Sequence, residues 1–97
     1  MGLAQKKVKS IVEKIRVVRE TKGYTQDYLA AKLSISQNAY SKLELGYSSL
    51  TVVRLFAIAS ILEIDARQLI SGTNDGVVAS AVIHSKAMEL ERYIAAL

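Results

Sequence analysis

The chain has 97 residues, 51% of them hydrophobic, and a formal net charge of +4, which fits one small domain. The absence of cysteine excludes disulfides and thiolate zinc sites, and the absence of proline removes the strongest helix breaker. The longest apolar run, Leu55–Ala59, is too short to span a bilayer, and charges interrupt any signal-peptide core, so we expect a cytoplasmic protein.

The positive charge is concentrated at the N-terminal end of the chain. Residues 1–22 contain seven Lys or Arg and two Glu, a local charge of +5, whereas residues 23–71 are balanced and residues 72–97 carry −1. A basic cluster of this kind suits nucleic acid, because neutralising phosphates releases counterions. A solvated basic helix face would have the same composition, so the cluster alone does not decide between the two.

The first helix is predicted after a basic arm. Residues 1–10 contain few apolar anchors, so we expect a basic N-terminal arm there. Ser10 is a suitable N-cap for a helix that runs to Lys22 and stops at Gly23. Its inward positions are Ile11, Ile15 and Val18.

Two short helices joined by a brief turn are predicted between Thr25 and Gly46. Thr25 and Ser36 can cap the two helices, and Gly46 suits a left-handed helix end. The apolar positions at helical spacing are Tyr28, Leu29 and Leu33 in the first helix and Tyr40 and Leu43 in the second. This spacing predicts a helix–turn–helix.

The outer face of the second of these helices carries one polar stripe. Its members, at positions i, i+1, i+4 and i+5, are Gln37, Asn38, Ser41 and Lys42. Gln and Asn pair a donor with an acceptor and so match the edge of adenine in the major groove, while Lys suits guanine or phosphate. The stripe therefore predicts contact with DNA bases.

Two further helices and a linker complete the predicted domain. Thr51 caps a fourth helix and Asp65 a fifth, which Gly72 closes. Their core positions are Leu55, Ile58 and Leu62, with Phe56 and Ala59 beside them, and then Leu69 and Ile70. The turn residues of Gly72–Gly76 form the one clear linker, so the domain is predicted to span residues 11–71.

The last segment, residues 77–97, is predicted to be a helix with a heptad-like apolar seam. The seam consists of Ile83, Ala87, Leu90, Ile94 and Leu97. An isolated helix of this length is marginally stable in water, so the seam needs a partner. That partner is either a second copy of the chain or the chain's own domain, and we favour dimerisation.

The segment Ile15–Ile70 resembles the five-helix DNA-binding domain of the phage repressor and Cro type. The resemblance is carried by KGYTQ at the end of the first helix, LAAKL in the second, the E-x-G of Glu44–Gly46 and the amphipathic fourth helix. It implies an all-α fold with an added C-terminal helix, and base contacts from Gln37 and Asn38. It also implies that Gln26 binds phosphate at a helix N-terminus, and that Arg19 forms a structural ion pair with Glu44.

Further phosphate contacts are expected around this domain. The basic first helix offers Lys14 and Arg16, the cap Ser36 is a third candidate, and the loop after Gly46 offers the hydroxyls and N–H groups of Tyr47, Ser48 and Ser49. The sequence departs from the family pattern in three places, the first of which is the lack of basic residues in this loop. Leu45 replaces a polar residue before the glycine, and Ser34 stands where glycine is usual, which predicts a strained backbone angle.

The remaining residues indicate neither a metal site nor an enzyme. His84 is the only histidine and has no partner at ligand spacing, and we expect no cofactor and no membrane contact. The sequence thus predicts a homodimeric transcriptional regulator, a repressor or controller protein, on a pseudo-palindromic operator of double-stranded DNA. The alternative is an antitoxin of a toxin–antitoxin pair, whose C-terminal segment binds a toxin while its DNA-binding domain represses the operon of the pair.

Overall fold

The computed structural model describes residues 2–96, without the side chains of residues 84–88. The described residues form helices and no strand, which confirms the predicted all-α fold. The helices are α1 (Leu3–Thr21), α2 (Gln26–Lys32), α3 (Gln37–Glu44), α4 (Val52–Leu62), α5 (Ala66–Ser71) and α6 (Asn74–Ala96).

Helix α1 begins at Leu3, well before the predicted cap Ser10, so residues 3–10 are part of α1 and not the separate basic arm that the sequence predicted. Residues 3–9 contain good helix formers and no glycine, so nothing interrupts the helix there. Ser10 lies inside α1, where its hydroxyl accepts a hydrogen bond from Lys14 Nζ at 2.9 Å. The basic N-terminal residues are therefore displayed on a rigid helix.

Side-chain caps define the starts of four helices, as the sequence predicted. Each cap accepts a hydrogen bond from a backbone N–H of the first turn, and the caps are Thr25, Ser36, Thr51 and Asp65. At the last of these, hydrogen bonds from Arg67 lower the pKa of Asp65 to about 2. Because caps are local interactions, they could be found from the sequence alone.

The turn between α2 and α3 contains the strained residue that the sequence predicted. Ser34 has φ 58°, in the left-handed region that costs a residue with a side chain roughly 1–2 kcal/mol. At the other end of α3, Gly46 adopts φ 79° without that cost. The turn that contains Ser34 is short, which fixes the angle between α2 and α3.

The core draws buried apolar side chains from all of these helices. They are Val12, Ile15 and Val18, Leu29 and Ala30, Tyr40 and Leu43, Leu55, Ile58, Ala59 and Leu62, Ala66 and Leu69, and Val77 and Ala81. Three side chains that the sequence assigned to the core or its edge are instead exposed, namely Tyr28, Phe56 and Ile70. Each lies one position from a buried residue, so periodicity alone could not exclude it.

Helix α6 begins at Asn74, inside the segment predicted as a linker. Thr73 caps it, accepting a hydrogen bond from the N–H of Gly76 at 2.9 Å. Gly72 connects it to α5, and a side chain there would collide with the carbonyl oxygen of Gln68. With Val77 and Ala81 in the core, the first turns of α6 belong to the domain, so the predicted boundaries at residues 71 and 77 are wrong.

The predicted seam lies on the opposite side of α6 from these buried residues. At 3.6 residues per turn, Ile83 is rotated by about 120–160° from Val77 and Ala81. The described seam residues are exposed, Ile83 by 68%, Leu90 by 58% and Ile94 by 58%, while the Ala87 side chain and Leu97 lie outside the described part. Helix α6 therefore packs on α1 through one face and leaves the described seam residues exposed.

Truncation should distinguish the two parts of α6. A chain ending at Gly76 loses Val77 and Ala81 from the core, and burial of one valine contributes roughly 1.5–3 kcal/mol, so its melting temperature should fall steeply. A chain ending at Ile83 keeps both residues and should melt near the intact protein. Circular dichroism melts of the three chains measure this, and equal melting of the two truncated forms would contradict the assignment.

Candidate nucleic-acid interface

Helix α3 presents the predicted polar stripe at the surface. Gln37, Asn38 and Lys42 are exposed and Ser41 is half-buried, while Tyr40 and Leu43 on the other face are in the core. The Ser36 hydroxyl accepts from the N–H of Ala39 at 3.1 Å, so its oxygen is already used as a cap. The exposed face of α3 thus offers amide and ammonium groups in one row.

The first of two grooves beside α3 lies toward α4. Asn38 and Lys42 form one wall, and Ser48, Ser49 and Arg54 line the other. The loop hydroxyls are exposed, and Arg54 comes from the first turn of α4. This groove therefore carries a cation on each side.

The second groove lies toward α1. Lys9 and Arg16, separated by two turns on one face of α1, stand across it from Gln26 and Ser41. Arg16 also approaches Glu20, with 3.9 Å between Nη1 and Oε1, in an exposed pair of little energetic weight. Two basic side chains of α1 are thereby placed beside the row on α3.

The loop after Gly46 lies between the N-terminal part of α1 and α4. A third groove joins Tyr47, Ser48 and Ser49 with Val8 and Lys9 of α1. The loop itself has no basic residue, so the cations nearest to it come from helices on its two sides.

Lys14 does not lie on this surface, which corrects the prediction that it contacts phosphate. The residue is 4% exposed, and its Nζ donates to the carbonyl oxygen of Leu69 at 3.3 Å. Burial, followed by repulsion from Lys7, lowers the pKa of Lys14. Its ammonium instead joins α1 to the last turn of α5, where a cation complements the carbonyl end of a helix.

Arg19 and Glu44 are brought together by α1 and α3. Nε donates to Oε2 at 2.7 Å and Nη2 to Oε1 at 3.1 Å, and the side chains are 10% and 2% exposed. Nη1 donates to the carbonyl oxygen of Tyr24 at 2.8 Å. The hydrogen bonds that Arg19 donates to Glu44 raise the pKa of Arg19, while burial and the same carboxylate raise the pKa of Tyr40.

Two amide side chains continue from this ion pair to the surface. Gln26 Nε2 donates to Glu44 Oε1 at 3.3 Å, and Gln37 Nε2 donates to Gln26 Oε1 at 3.3 Å. Gln26 is half-buried and Gln37 is exposed. The first residue of α2 therefore braces the first residue of α3.

Sequence reasoning missed Lys9 and Arg54 as members of the surface. Lys9 lies in the segment predicted as a basic arm, and its seven-residue spacing from Arg16 indicates a shared helix face only once that segment is helical. Arg54 is three residues past the cap Thr51, and only the tertiary fold shows that the first turn of α4 faces α3.

The described residues contain no cluster of side chains that could hold a metal ion. None of the described helices is long and apolar enough to cross a membrane.

An exposed polar helix, braced by a second helix and flanked by basic side chains, is the arrangement of a DNA-binding helix–turn–helix domain. A family model described as helix-turn-helix matches residues 15–69, more than half of the chain, and the chain belongs to that family. The match supports the resemblance to the repressor and Cro type and shows a DNA-binding regulator that binds double-stranded DNA. No curated protein and no solved structure is significantly similar to the chain.

The basic side chains can be tested by matched substitutions in a DNA-binding assay. Lys9→Met and Arg54→Met should each weaken binding to all sequences and flatten the salt dependence, by a slope of roughly 0.9 per lost phosphate contact. Lys14→Met should leave both unchanged, because its ammonium faces Leu69. Fluorescence anisotropy at several salt concentrations measures this, and a weaker Lys14→Met protein that still melts like the original would contradict the burial of Lys14.

Proposed function

We propose that the protein is a homodimeric, sequence-specific transcriptional regulator, a repressor or controller protein, acting in the cytoplasm on a pseudo-palindromic operator. The observation that carries the proposal is the exposed amide row of α3 between two grooves lined by basic side chains. Amides supply the paired donors and acceptors that base edges require, and basic side chains supply the phosphate affinity.

In this proposal the side chains of the surface divide between those that contact bases and those that contact phosphates. Gln37, Asn38, Ser41 and Lys42 enter the major groove and contact base edges. Phosphates on one side are bound by Lys9, Arg16 and Gln26, and on the other by Arg54 and the loop residues Tyr47, Ser48 and Ser49, with the N-terminal turn of α3 at Ser36 between them. If the cations of each subunit neutralise roughly three or four phosphates, a dimer should show a log–log salt slope of about −5 to −7.

Dimerisation through the α6 seam is the second part of the proposal. Recognition helices that read one face of B-DNA lie about 34 Å apart, so the two domains must be held at a fixed distance. The exposed seam on a helix anchored in the core by Val77 and Ala81 supports this role. We propose a parallel or antiparallel pairing of two α6 helices through Ile83, Ala87, Leu90, Ile94 and Leu97.

Base recognition should separate from general DNA affinity in substitutions on α3. Gln37→Ala and Asn38→Ala should each cost about 1–3 kcal/mol on the preferred site and little on random DNA, because each removes a base contact and no charge. Gln68→Ala, a glutamine outside the three grooves, is the matched control and should change neither affinity. Competition titrations against random duplex measure the difference, and equal losses on both DNAs would contradict base reading by Gln37.

Sedimentation should reveal the role of the seam. Leu90→Lys places a charge in the proposed interface and should convert the dimer to a monomer and tight operator binding to weak half-site binding. Ala96→Lys adds the same charge on the other side of α6 and should leave the dimer intact. Analytical ultracentrifugation at tens of micromolar decides, since an intact chain that sediments as a monomer would contradict the homodimer.

The antitoxin alternative uses the same exposed seam, with a small toxin in place of a second copy. A monomeric intact chain that forms a stable one-to-one complex with a co-purified small protein would favour it, and Leu90→Lys should then abolish that complex.

A further inference from the structure

The exposed end of α3 is connected to the buried ion pair by a continuous set of hydrogen bonds. Arg19 donates twice to Glu44, Gln26 donates to the same carboxylate at 3.3 Å, and Gln37 donates to Gln26 at 3.3 Å. The path runs from a carboxylate that is 2% exposed to a side chain in the DNA-facing row. Each step joins two different helices of the domain.

The carboxylate determines the direction of every hydrogen bond on this path. An ionised Glu44, paired with a guanidinium, only accepts, so the Gln26 atom that faces it must be the NH₂ group. The carbonyl oxygen of Gln26 then faces Gln37, and because that oxygen also only accepts, Gln37 must turn its own NH₂ group toward it. The order of donor and acceptor at the surface is therefore set from inside the core.

Without the carboxylate, the two glutamines would have no fixed order. An amide can donate to a second amide or accept from it, and both arrangements place the same atoms in hydrogen-bond distance. The pair Gln26–Gln37 alone thus permits two orientations of the exposed amide. Glu44 removes one of them.

We infer that Glu44 is a positioning residue for base recognition, which orients the amide of Gln37 through Gln26; this rests on the proposed function. In the enforced orientation Gln37 retains its carbonyl oxygen and its second N–H for DNA. These match the N6 amino group and N7 of adenine in the major groove, whereas a reversed amide would place its oxygen against N7. Glu44 thereby sets which base is preferred, in addition to joining α3 to α1.

The decisive variant is Glu44→Gln, which keeps the shape of the side chain and allows it to donate as well as accept. Glu20→Gln is the matched control, because Glu20 approaches Arg19 from the exposed side, 3.7 Å from Nη2, and no hydrogen bond links it to Gln26. Each protein selects sites from a pool of random-sequence duplexes. The base read by Gln37 is identified as the position whose preference Gln37→Ala abolishes.

We expect the original chain and Glu20→Gln to prefer adenine at that position by roughly tenfold or more, within the range of a bidentate contact. Glu44→Gln should reduce this preference to about threefold or less while the position read by Asn38 keeps its own. An unchanged adenine preference in Glu44→Gln would overturn the inference, whatever happens to overall affinity.

A second variant keeps the inference testable if Glu44→Gln fails to fold. Gln26→Met breaks the path without touching the contacts between Arg19 and Glu44, so it should melt near the original chain and lose the same adenine preference. Uniformly weaker binding with the preference intact would show that Gln26 only contacts phosphate, and would overturn the inference. If Gln37→Ala relaxes no position, or the original chain selects no sequence, the proposed function fails together with it.

Discussion

The buried ion pair between Arg19 and Glu44 is the contact on which the geometry of the domain depends. The guanidinium donates hydrogen bonds to a carboxylate on α3 and to the carbonyl oxygen of Tyr24. One side chain therefore joins α1, the turn before α2, and α3. Removing two charges from water is expensive, so such a pair adds little net stability over an apolar one, while loss of one partner costs about 3–5 kcal/mol. Its value is therefore geometric, because it permits only one placement of α3.

The same rigidity explains how a loop without basic residues can lie at the proposed phosphate-binding surface. In this chain the cations beside the loop belong to helices, Lys9 on α1 and Arg54 at the start of α4. A basic side chain on an ordered helix binds phosphate without loss of backbone entropy. A basic residue on a loose loop would lose backbone entropy when it binds phosphate. Placement of α1 by the ion pair thus also places Lys9 and Arg16, two of the three cations proposed to bind phosphate.

Most features that the sequence predicted correctly depend on neighbours in the chain, whereas the burial of Lys14 and the start of α6 depend on distant residues. Caps such as Thr25 and Ser36 use N–H groups three residues away, and the core of α4 follows from its periodicity. Lys14 resembles any surface lysine until the carbonyl of Leu69, on α5, is beside it. The stretch Gly72–Gly76 has the composition of a linker. Burial of Val77 outweighs that local preference, so α6 already begins at Asn74.

Helix α6 has two apolar faces, and their separation gives the proposed dimer its geometry. One face, at Val77 and Ala81, is fixed in the same core as α3, while the seam beginning at Ile83 faces away from it. If a flexible linker joined the seam to the domain, the two domains of a dimer could bind half-sites at many spacings. Binding of the second half-site would then gain affinity only from the effective concentration of the second domain. A helix anchored in the core transmits the angle of the seam to α3 without a hinge. In the proposed dimer the fold itself then sets the operator spacing. The packing of two small side chains, Val77 and Ala81, against α1 determines that spacing.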